Sequence, residues 1–138
     1  MPPNTQKIHA FRLVPGNDLK KEIEEYVTTN NIEAGYIITG VGSITQYNLR
    51  FANHPGGSMS KGHFEIVSLT GTVSKNGSHL HMSISDSTGH TIGGHLLNDN
   101  IVYTTAEIVI GESLQHVFIR KQDGTTPWEE LQVQKKPQ

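Results

Sequence analysis

Hydrophobic and polar positions follow two different periods along this chain, one typical of a helix and one typical of strands. Between positions 19 and 27 the apolar residues recur at helical spacing, as Leu19, Ile23, Tyr26 and Val27. Asn17 or Asp18 can cap this segment, while the lysines and glutamates between the apolar positions face water. The pattern predicts one amphipathic helix near the N-terminus.

The rest of the chain consists of short runs rich in β-branched and aromatic residues. "KIHAFRLV" (7 to 14) predicts a strand whose apolar positions are Ile8, Ala10 and Leu13 and which ends at Pro15-Gly16. Asn76-Gly77 predicts a hairpin turn, and a glycine-containing bend divides the first of the later runs. These runs are "AGYIITGVGSITQYNLRFAN", "GHFEIVSLTGTVSK", "SHLHMSIS", "TIGGHLL", "NIVYTTAEIVIGES" and "LQHVFIRKQ". One helix and about seven strands, without regular helical crossovers, predict an α+β domain of mainly antiparallel sheet.

The length of 138 residues suits a single domain, 1–138. "HPGGSMSKG" (54–62) predicts a mobile surface loop, because it carries glycines and few anchoring apolar residues. "QVQKKPQ" (132–138) predicts a polar C-terminal tail. The N-terminus lacks the apolar core of a signal peptide, and no run approaches the roughly 18 apolar residues of a membrane span. We therefore expect a cytoplasmic protein that does not enter a membrane.

The charge balance and the lack of cysteine limit the chemistry open to this chain. Its 11 Lys and Arg residues against 13 Asp and Glu residues give a formal charge of -2. Because there is no excess of positive charge to neutralise phosphates, direct nucleic-acid binding is disfavoured. The absence of cysteine excludes disulfides, thiolate zinc sites and thiol nucleophiles. Any metal must bind to His, Asp or Glu.

Four of the eight histidines lie between positions 78 and 96. In "SHLHMSIS" the even positions are apolar and the odd positions, His79 and His81 among them, are polar, so the two histidines share one face of a strand. The following strand keeps the parity and places His95 on the same face. A hairpin centred on Ser87 would set His79 opposite His95 and His81 opposite Gly93. Because Gly93 has no side chain, it would leave room above the converging imidazoles.

Three neutral imidazoles with an open fourth position are the ligand set of a catalytic zinc site, and they also suit Fe, Ni or Cu. The spacing thus makes His79, His81 and His95 candidate ligands of a divalent transition metal, zinc among them. A polar sheet face that merely tolerates histidines is the alternative interpretation. His90 is predicted to lie at the turn and to face solvent.

Four further residues are candidates for catalytic or supporting roles around such a metal. They are Glu65, His63, Arg12 and Asp86. His63 precedes Phe64-Glu65 and could form a pocket wall, and Glu65 alternates with apolar neighbours so that it could face the polar layer. A solvated strand glutamate is the alternative for Glu65. The catalytic residues themselves stay unknown at this point.

With these motifs in hand, the chain resembles the PPC domain family, which is conserved between plants and prokaryotes. The resemblance runs from "FRLVPGNDLKKEI" through "GYIITGVGSI" and "GHFEIVSLTGTVS" to "HLHMSISDSTGHTIGGHL". It implies an antiparallel sheet with a flanking helix and a homotrimer. In prokaryotic members the histidines equivalent to His79, His81 and His95 are associated with a metal, commonly zinc, near a subunit boundary.

Plant members of that family carry an AT-hook, an Arg-Gly-Arg-Pro type segment, which this chain does not contain. The chain also has His63 where the plant "GRFEI" motif has Arg. Two functions follow as expectations. The first is a stand-alone, trimeric metal-binding protein that acts as a small-molecule enzyme or sensor. The second is a non-catalytic assembly or transcription-regulatory domain that works through protein partners, with direct DNA binding less favoured.

Overall fold

The structure, a computed structural model, describes residues 4–137, which contain one helix and eight strands. In chain order the elements are β1 Gln6–Leu13, α1 Leu19–Thr29, β2 Gly35–Arg50, β3 Ser58–Ser74, β4 Gly77–Ser85, β5 Thr91–Leu96, β6 Ile101–Ser113, β7 His116–Lys121 and β8 Glu130–Lys135. The predicted α+β class, with one N-terminal helix and mainly antiparallel sheet, is confirmed. The strand beyond the predicted seven is β8.

The main sheet has six strands in the order β1-β6-β2-β3-β4-β5, and every ladder in it is antiparallel. Its last strand returns to the end of β2, where Leu49 pairs with Leu96 and Arg50 pairs with His95. Strands β2 to β5 therefore form a closed ring. β7 and β8 form a separate two-stranded sheet. The closure brings the end of β2 beside the histidine hairpin of β4 and β5.

The helix α1 begins after Asp18, whose side chain accepts a hydrogen bond from the backbone N–H of Lys21 at 3.4 Å. Its buried residues are Leu19, Ile23 and Val27, as the apolar spacing predicts. Each fully buried aliphatic side chain stabilises the fold by about 1.5–3 kcal/mol. No helix in the part of the chain that the structure describes is both long and apolar enough to cross a membrane.

The buried face of strand β1 does not include its apolar residues Ile8 and Ala10. His9 and Leu13 are buried, with Phe11 packed against the core, whereas Ile8 is 55% exposed and Ala10 is exposed as well. The physical reason is that His9 finds buried polar partners, which makes a polar side chain compatible with the interior. The strand predicted over residues 7–14 is present as β1, and the apolar residues Ile8 and Ala10 that indicated it lie on its exposed face.

Strands β2 and β3 are longer than predicted. β2 runs from Gly35 to Arg50 without interruption, and the expected glycine bend is a series of register shifts within its ladder to β6. β3 begins at Ser58, so residues 58–62 of the segment predicted as a loop belong to this strand, and 58–61 pair with β2. Backbone pairing needs few apolar side chains, which is why this polar segment can be a strand.

The polar C-terminal segment also contributes a strand. Residues 132–135, predicted as tail, belong to β8 and pair with β7, for example Gln134 with Val117. The ladder is formed by backbone groups, so the polar composition of "QVQKKPQ" did not prevent it. The hairpin of β7 and β8 places Trp128, which is 68% exposed, in the connection between its strands.

Candidate metal centre

The turn between β4 and β5 sets the register of the histidine hairpin. One oxygen of the Asp86 carboxylate, Oδ1, accepts hydrogen bonds from the backbone N–H groups of Thr88 at 2.9 Å and His90 at 3.0 Å. The backbone N–H of Asp86 also donates to the His90 carbonyl, which closes the turn over residues 86–90. The hairpin is therefore centred on Thr88 and not on Ser87.

This shift corrects the predicted pairing. His81, and not His79, lies opposite His95, and Gly93 lies opposite Ser83. The predicted parity is nevertheless confirmed, because Leu80, Met82 and Ile84 of β4 are buried while His79 and His81 are exposed on the other face. The three histidines still converge, since His81 and His95 form a direct cross-strand pair and His79 lies diagonally beside them.

The three imidazoles form a compact cluster. Nε2 of His79 lies 3.2 Å from Nε2 of His81. The ring centroids are 4.9 Å apart for His79 and His81, 5.4 Å for His79 and His95, and 5.7 Å for His81 and His95. One ring nitrogen from each histidine lies within 4.8 Å of the other two. Three neutral donors of this kind can share one ion.

The surroundings favour the neutral form of two of these rings. Partial burial lowers the pKa of His95 to about 4, with a further contribution from the Arg50 guanidinium. Partial burial also lowers the pKa of His79 below its ordinary value, and the neighbouring His81 and Arg120 act in the same direction. Neutral imidazole is the form that binds a metal. His79 and His95 are therefore in the form that can bind a metal at neutral pH.

A pocket of about 510 Å³ opens beside His79 and His95. Arg50, from the end of β2, and Arg120, from β7, line it together with Trp128 and other residues of the C-terminal hairpin. Sequence reasoning missed these residues. No local motif marks them, because they reach the cluster through the closure of the sheet ring and the docking of β7.

The four other candidates lie around a different pocket. His63, Glu65 and Asp86 line a second pocket of about 470 Å³, which shares no lining residue with the pocket beside His79. Arg12 donates from Nε to the hydroxyl of Thr105, another lining residue, at 3.0 Å. The structure thus groups these candidates with one another and not with the three-histidine cluster.

A buried histidine that the sequence did not single out lies on β1. His9 Nε2 is 2.9 Å from Oε1 of Glu112 and His9 Nδ1 is 2.9 Å from the Tyr26 hydroxyl. His9 is 5% exposed and Glu112 is 7% exposed. The available signal was the odd parity of His9, Phe11 and Leu13, in which a histidine alternates with large apolar residues.

A curated relative covers almost the whole chain. It is the bifunctional protein GlmU of a Synechococcus strain, 40% identical over 134 residues. The match covers 97% of this chain but 21% of that protein. The chain thus spans about a fifth of the length of the curated relatives it matches.

Solved structures reproduce the fold closely. A hypothetical protein from Salmonella cholerae-suis is 33% identical, with a TM-score of 0.94 and 99% of each chain covered. A metal-containing protein from Archaeoglobus fulgidus is 24% identical, with a TM-score of 0.75 over 94% of this chain and 95% of that one. A Bacteroides thetaiotaomicron protein, for which DNA binding has been suggested, is 22% identical, with a TM-score of 0.79 over 94% and 98%. The last two comparisons show the fold alone.

The family model of the Plants and Prokaryotes Conserved (PCC) domain matches residues 2–114. The match includes all three clustered histidines and ends before β7, so the C-terminal hairpin lies outside it. The resemblance drawn from the motifs named the same family under the abbreviation PPC. The chain belongs to the Plants and Prokaryotes Conserved domain family.

Proposed function

We propose that this chain binds a divalent transition metal, with zinc preferred, through His79, His81 and His95. The observation that carries the proposal is the convergence of three ring nitrogens within 4.8 Å of one another. Two nitrogens on one tetrahedral zinc, at about 2.0–2.1 Å from the ion, lie about 3.3 Å apart. The 3.2 Å between Nε2 of His79 and Nε2 of His81 fits that value. The remaining gap to His95 requires roughly 1.5 Å of side-chain movement.

A metal held by three imidazoles keeps a coordination position open, where it polarises a bound oxygen or lowers the pKa of a bound water to about 7. The adjoining pocket of about 510 Å³ is large enough for a small organic molecule. These two features support a role as a small-molecule enzyme or sensor. The fold shared with the metal-containing protein from Archaeoglobus fulgidus is consistent with this role.

Metal content tests the proposal directly. Untagged protein, the variants His79→Ala, His81→Ala and His95→Ala, and a control variant His90→Ala are purified without added metal and analysed by inductively coupled plasma mass spectrometry. His90 is a matched control because it belongs to the same hairpin but lies exposed in the turn. We expect about one metal ion per chain in the wild type and in the control, and close to none in the three variants. A metal-free wild type, even after reconstitution with Zn, Fe and Ni, contradicts the proposal.

We further propose a homotrimer, with the metal near a subunit boundary. Apolar side chains on the central strands support it: Ile38 is 49% exposed, Val41 is 51% exposed and Val67 is 58% exposed. Val41 and Val67 flank the cross-strand pair of Gly42 and Ile66, so they form one surface. Exposed aliphatic clusters of this kind mark interfaces.

Light scattering coupled to gel filtration should give about three times the 15.2 kDa chain mass. Val41→Glu should dissociate the assembly. Val133→Glu, at a residue of β8 that is 56% exposed, serves as the control and should not. A wild-type monomer contradicts this proposal.

A second candidate function is a non-catalytic assembly or regulatory domain that acts through protein partners in the cytoplasm. The exposed aliphatic surface favours it, since assembly through that surface needs no metal. The formal charge of -2 disfavours direct DNA binding. Metal-free trimers that keep the full stability of the metal-treated protein would favour this second function over the first.

A further inference from the structure

Charged side chains of both signs line the pocket beside His79 and His95. Arg50 comes from β2, Arg120 comes from β7, and Glu130 begins β8. The single tryptophan of the chain, Trp128, stands at the same pocket and is 68% exposed. Each of these side chains belongs to a part of the fold that sequence reasoning did not connect with the histidines. Their meeting point is therefore a property of the tertiary structure.

Arg120 is held in place toward the histidine cluster. Its Nη2 donates a hydrogen bond to the hydroxyl of Thr72 at 2.8 Å, and Thr72 is the cross-strand partner of His79. Gly77 leaves the space that the arginine stem needs, because a Cβ atom at that position would lie 3.0 Å from Cγ of Arg120. The guanidinium is thus positioned beside His79 by contacts that are independent of any ligand.

Arg50 reaches the other side of the cluster. It is the cross-strand partner of His95, and its side chain is half-buried. None of the ion pairs formed among residues 4–137 involves an arginine, so neither Arg50 nor Arg120 has a carboxylate within 4.0 Å. Guanidinium groups bind carboxylates and phosphates with paired, charge-assisted hydrogen bonds. Two of them without such a partner flank the three histidines.

The charges in the pocket depend on the metal. The pocket is lined by two arginines, Arg50 and Arg120, and by two glutamates, Glu129 and Glu130. Their formal charges sum to zero while the histidines are neutral and no ion is bound. A divalent ion on the histidine wall adds two positive charges at one side of the pocket. The loaded pocket then carries a net positive charge, which attracts anions.

We propose that this pocket binds a small molecule through a carboxylate or phosphate group, which Arg50 and Arg120 hold beside the metal of the three-histidine cluster. The inference rests on the proposed metal function and adds the ligand class to it. With a metal on the three histidines, the anionic group would lie beside it, and the remainder of the molecule would extend toward Trp128. The C-terminal hairpin, which lies outside the family match, forms that side of the pocket.

Trp128 provides the signal for a binding experiment. Zinc-loaded protein, freed of excess zinc by gel filtration, is titrated with inorganic phosphate and separately with succinate. Binding is followed by tryptophan fluorescence and by isothermal titration calorimetry, and the zinc content of every sample is measured. The variants are Arg50→Gln, Arg120→Gln and Glu130→Gln, with Lys61→Gln as the charge-matched control, because Lys61 lies on β3 outside the pocket.

We expect binding by the wild type and by Lys61→Gln, and about tenfold weaker binding by Arg50→Gln and Arg120→Gln at unchanged zinc content. Glu130→Gln should bind more tightly, because it removes a negative charge from the pocket. A response to phosphate alone or to succinate alone supports the proposal and identifies the anionic group. Arg50→Gln keeps the bond between Arg120 and Thr72, so this variant tests the pocket even if Arg120→Gln folds poorly.

Two failures can be told apart. A wild type that holds no zinc contradicts the metal function. Zinc-loaded wild type that gives neither heat nor a fluorescence change up to about 100 mM anion overturns the anion pocket alone. Equal affinity of the wild type and Arg50→Gln, at equal zinc content, overturns it as well.

Discussion

The histidines of β1 and of the β4–β5 hairpin show two opposite ways of using an imidazole. His9 is 5% exposed and has a protein partner at each ring nitrogen, Glu112 on one side and Tyr26 on the other. His79 and His81 are exposed, and the hydrogen-bond contact recorded between them joins Nε2 to Nε2. His9 thus belongs to a buried network in which both ring nitrogens have protein partners. The rings of His79 and His81 lie at the surface, where a ligand can reach them.

The partners of each ring nitrogen decide whether a histidine is able to bind a metal. A ring whose nitrogens are both engaged by protein groups contributes to stability and is not free to bind an ion. Rings that face one another at the surface gain little from the contact, because two nitrogens of the same kind must share one proton or a metal. We therefore assign a structural role to His9 and propose a ligand role for the hairpin cluster.

The largest change in the free energy of unfolding is expected when the buried histidine is replaced, with a hairpin histidine replaced for comparison. His9→Leu should lower the free energy of unfolding by about 3 kcal/mol, because Glu112 and Tyr26 lose a buried partner. The same variant should keep its metal. His81→Leu should change the stability of the metal-free protein by no more than about 0.5 kcal/mol and abolish metal binding. Urea unfolding and metal analysis of both variants provide the measurement.

Two results would contradict the distinction between the buried histidine and the hairpin histidines. A folded His9→Leu variant that has lost its metal would connect the two regions. A metal-free His81→Leu variant as destabilised as His9→Leu would make the hairpin histidine structural.

Metal addition should produce the next largest effect. At a free metal concentration of 100 times the dissociation constant, binding to the folded state stabilises a protein by about 2.7 kcal/mol. We expect this gain in the wild type and in His9→Leu, since distant sites act additively, and no gain in His81→Ala. Thermal unfolding with and without a chelator measures it. An equal gain in His81→Ala would show that the ion binds elsewhere.

A smaller effect is expected within the buried network itself. Tyr26→Phe removes one hydrogen bond to His9, and Glu112→Gln keeps an acceptor but removes the charge. Each should lower the free energy of unfolding by about 1 kcal/mol. Glu107→Gln, at an exposed glutamate of the same strand β6, is the matched control and should have little effect. Equal stabilities of Glu112→Gln and the control would mean that the buried contact is energetically neutral.

The smallest effect concerns acid, because solvent screens much of the charge on the partly exposed His95 ring. Burial lowers the pKa of His95 in the folded protein to about 4, below its ordinary value of 6.5, so folding favours the neutral ring. The stability linked to His95 is therefore complete above pH 6.5 and is lost as the pH falls toward 4. The metal-free wild type should lose stability over this window, and the loss should be smaller in His95→Gln. Identical pH profiles of the two proteins would contradict this reasoning.

Local patterns predicted the features that depend on neighbouring residues. The parity of β4 and the helix α1 follow from spacing within one element, and both are confirmed. Of the two predicted cap residues, Asn17 and Asp18, the structure has Asp18. The register of the hairpin was predicted one residue away from its true centre. The error arose because the Asp86 carboxylate organises the turn as far as His90, a contact that turn composition alone does not define.

Features that depend on the closure of the fold could not be predicted. Arg50 meets His95 because β5 returns to the end of β2, and Arg120 meets His79 because β7 docks beside β3. The spacing of residues along the sequence does not predict either of these two contacts. β8 was missed for a related reason, since its pairing with β7 uses backbone groups and leaves few apolar positions in its sequence.

Metal binding by the hairpin histidines is tested best by a crystal structure of zinc-loaded protein with an anomalous difference map at the zinc edge. The account predicts one strong peak, about 2.0–2.1 Å from one ring nitrogen each of His79, His81 and His95. A peak among His63, Glu65 and Asp86 instead, or a fully loaded crystal without a peak at the hairpin, would contradict it.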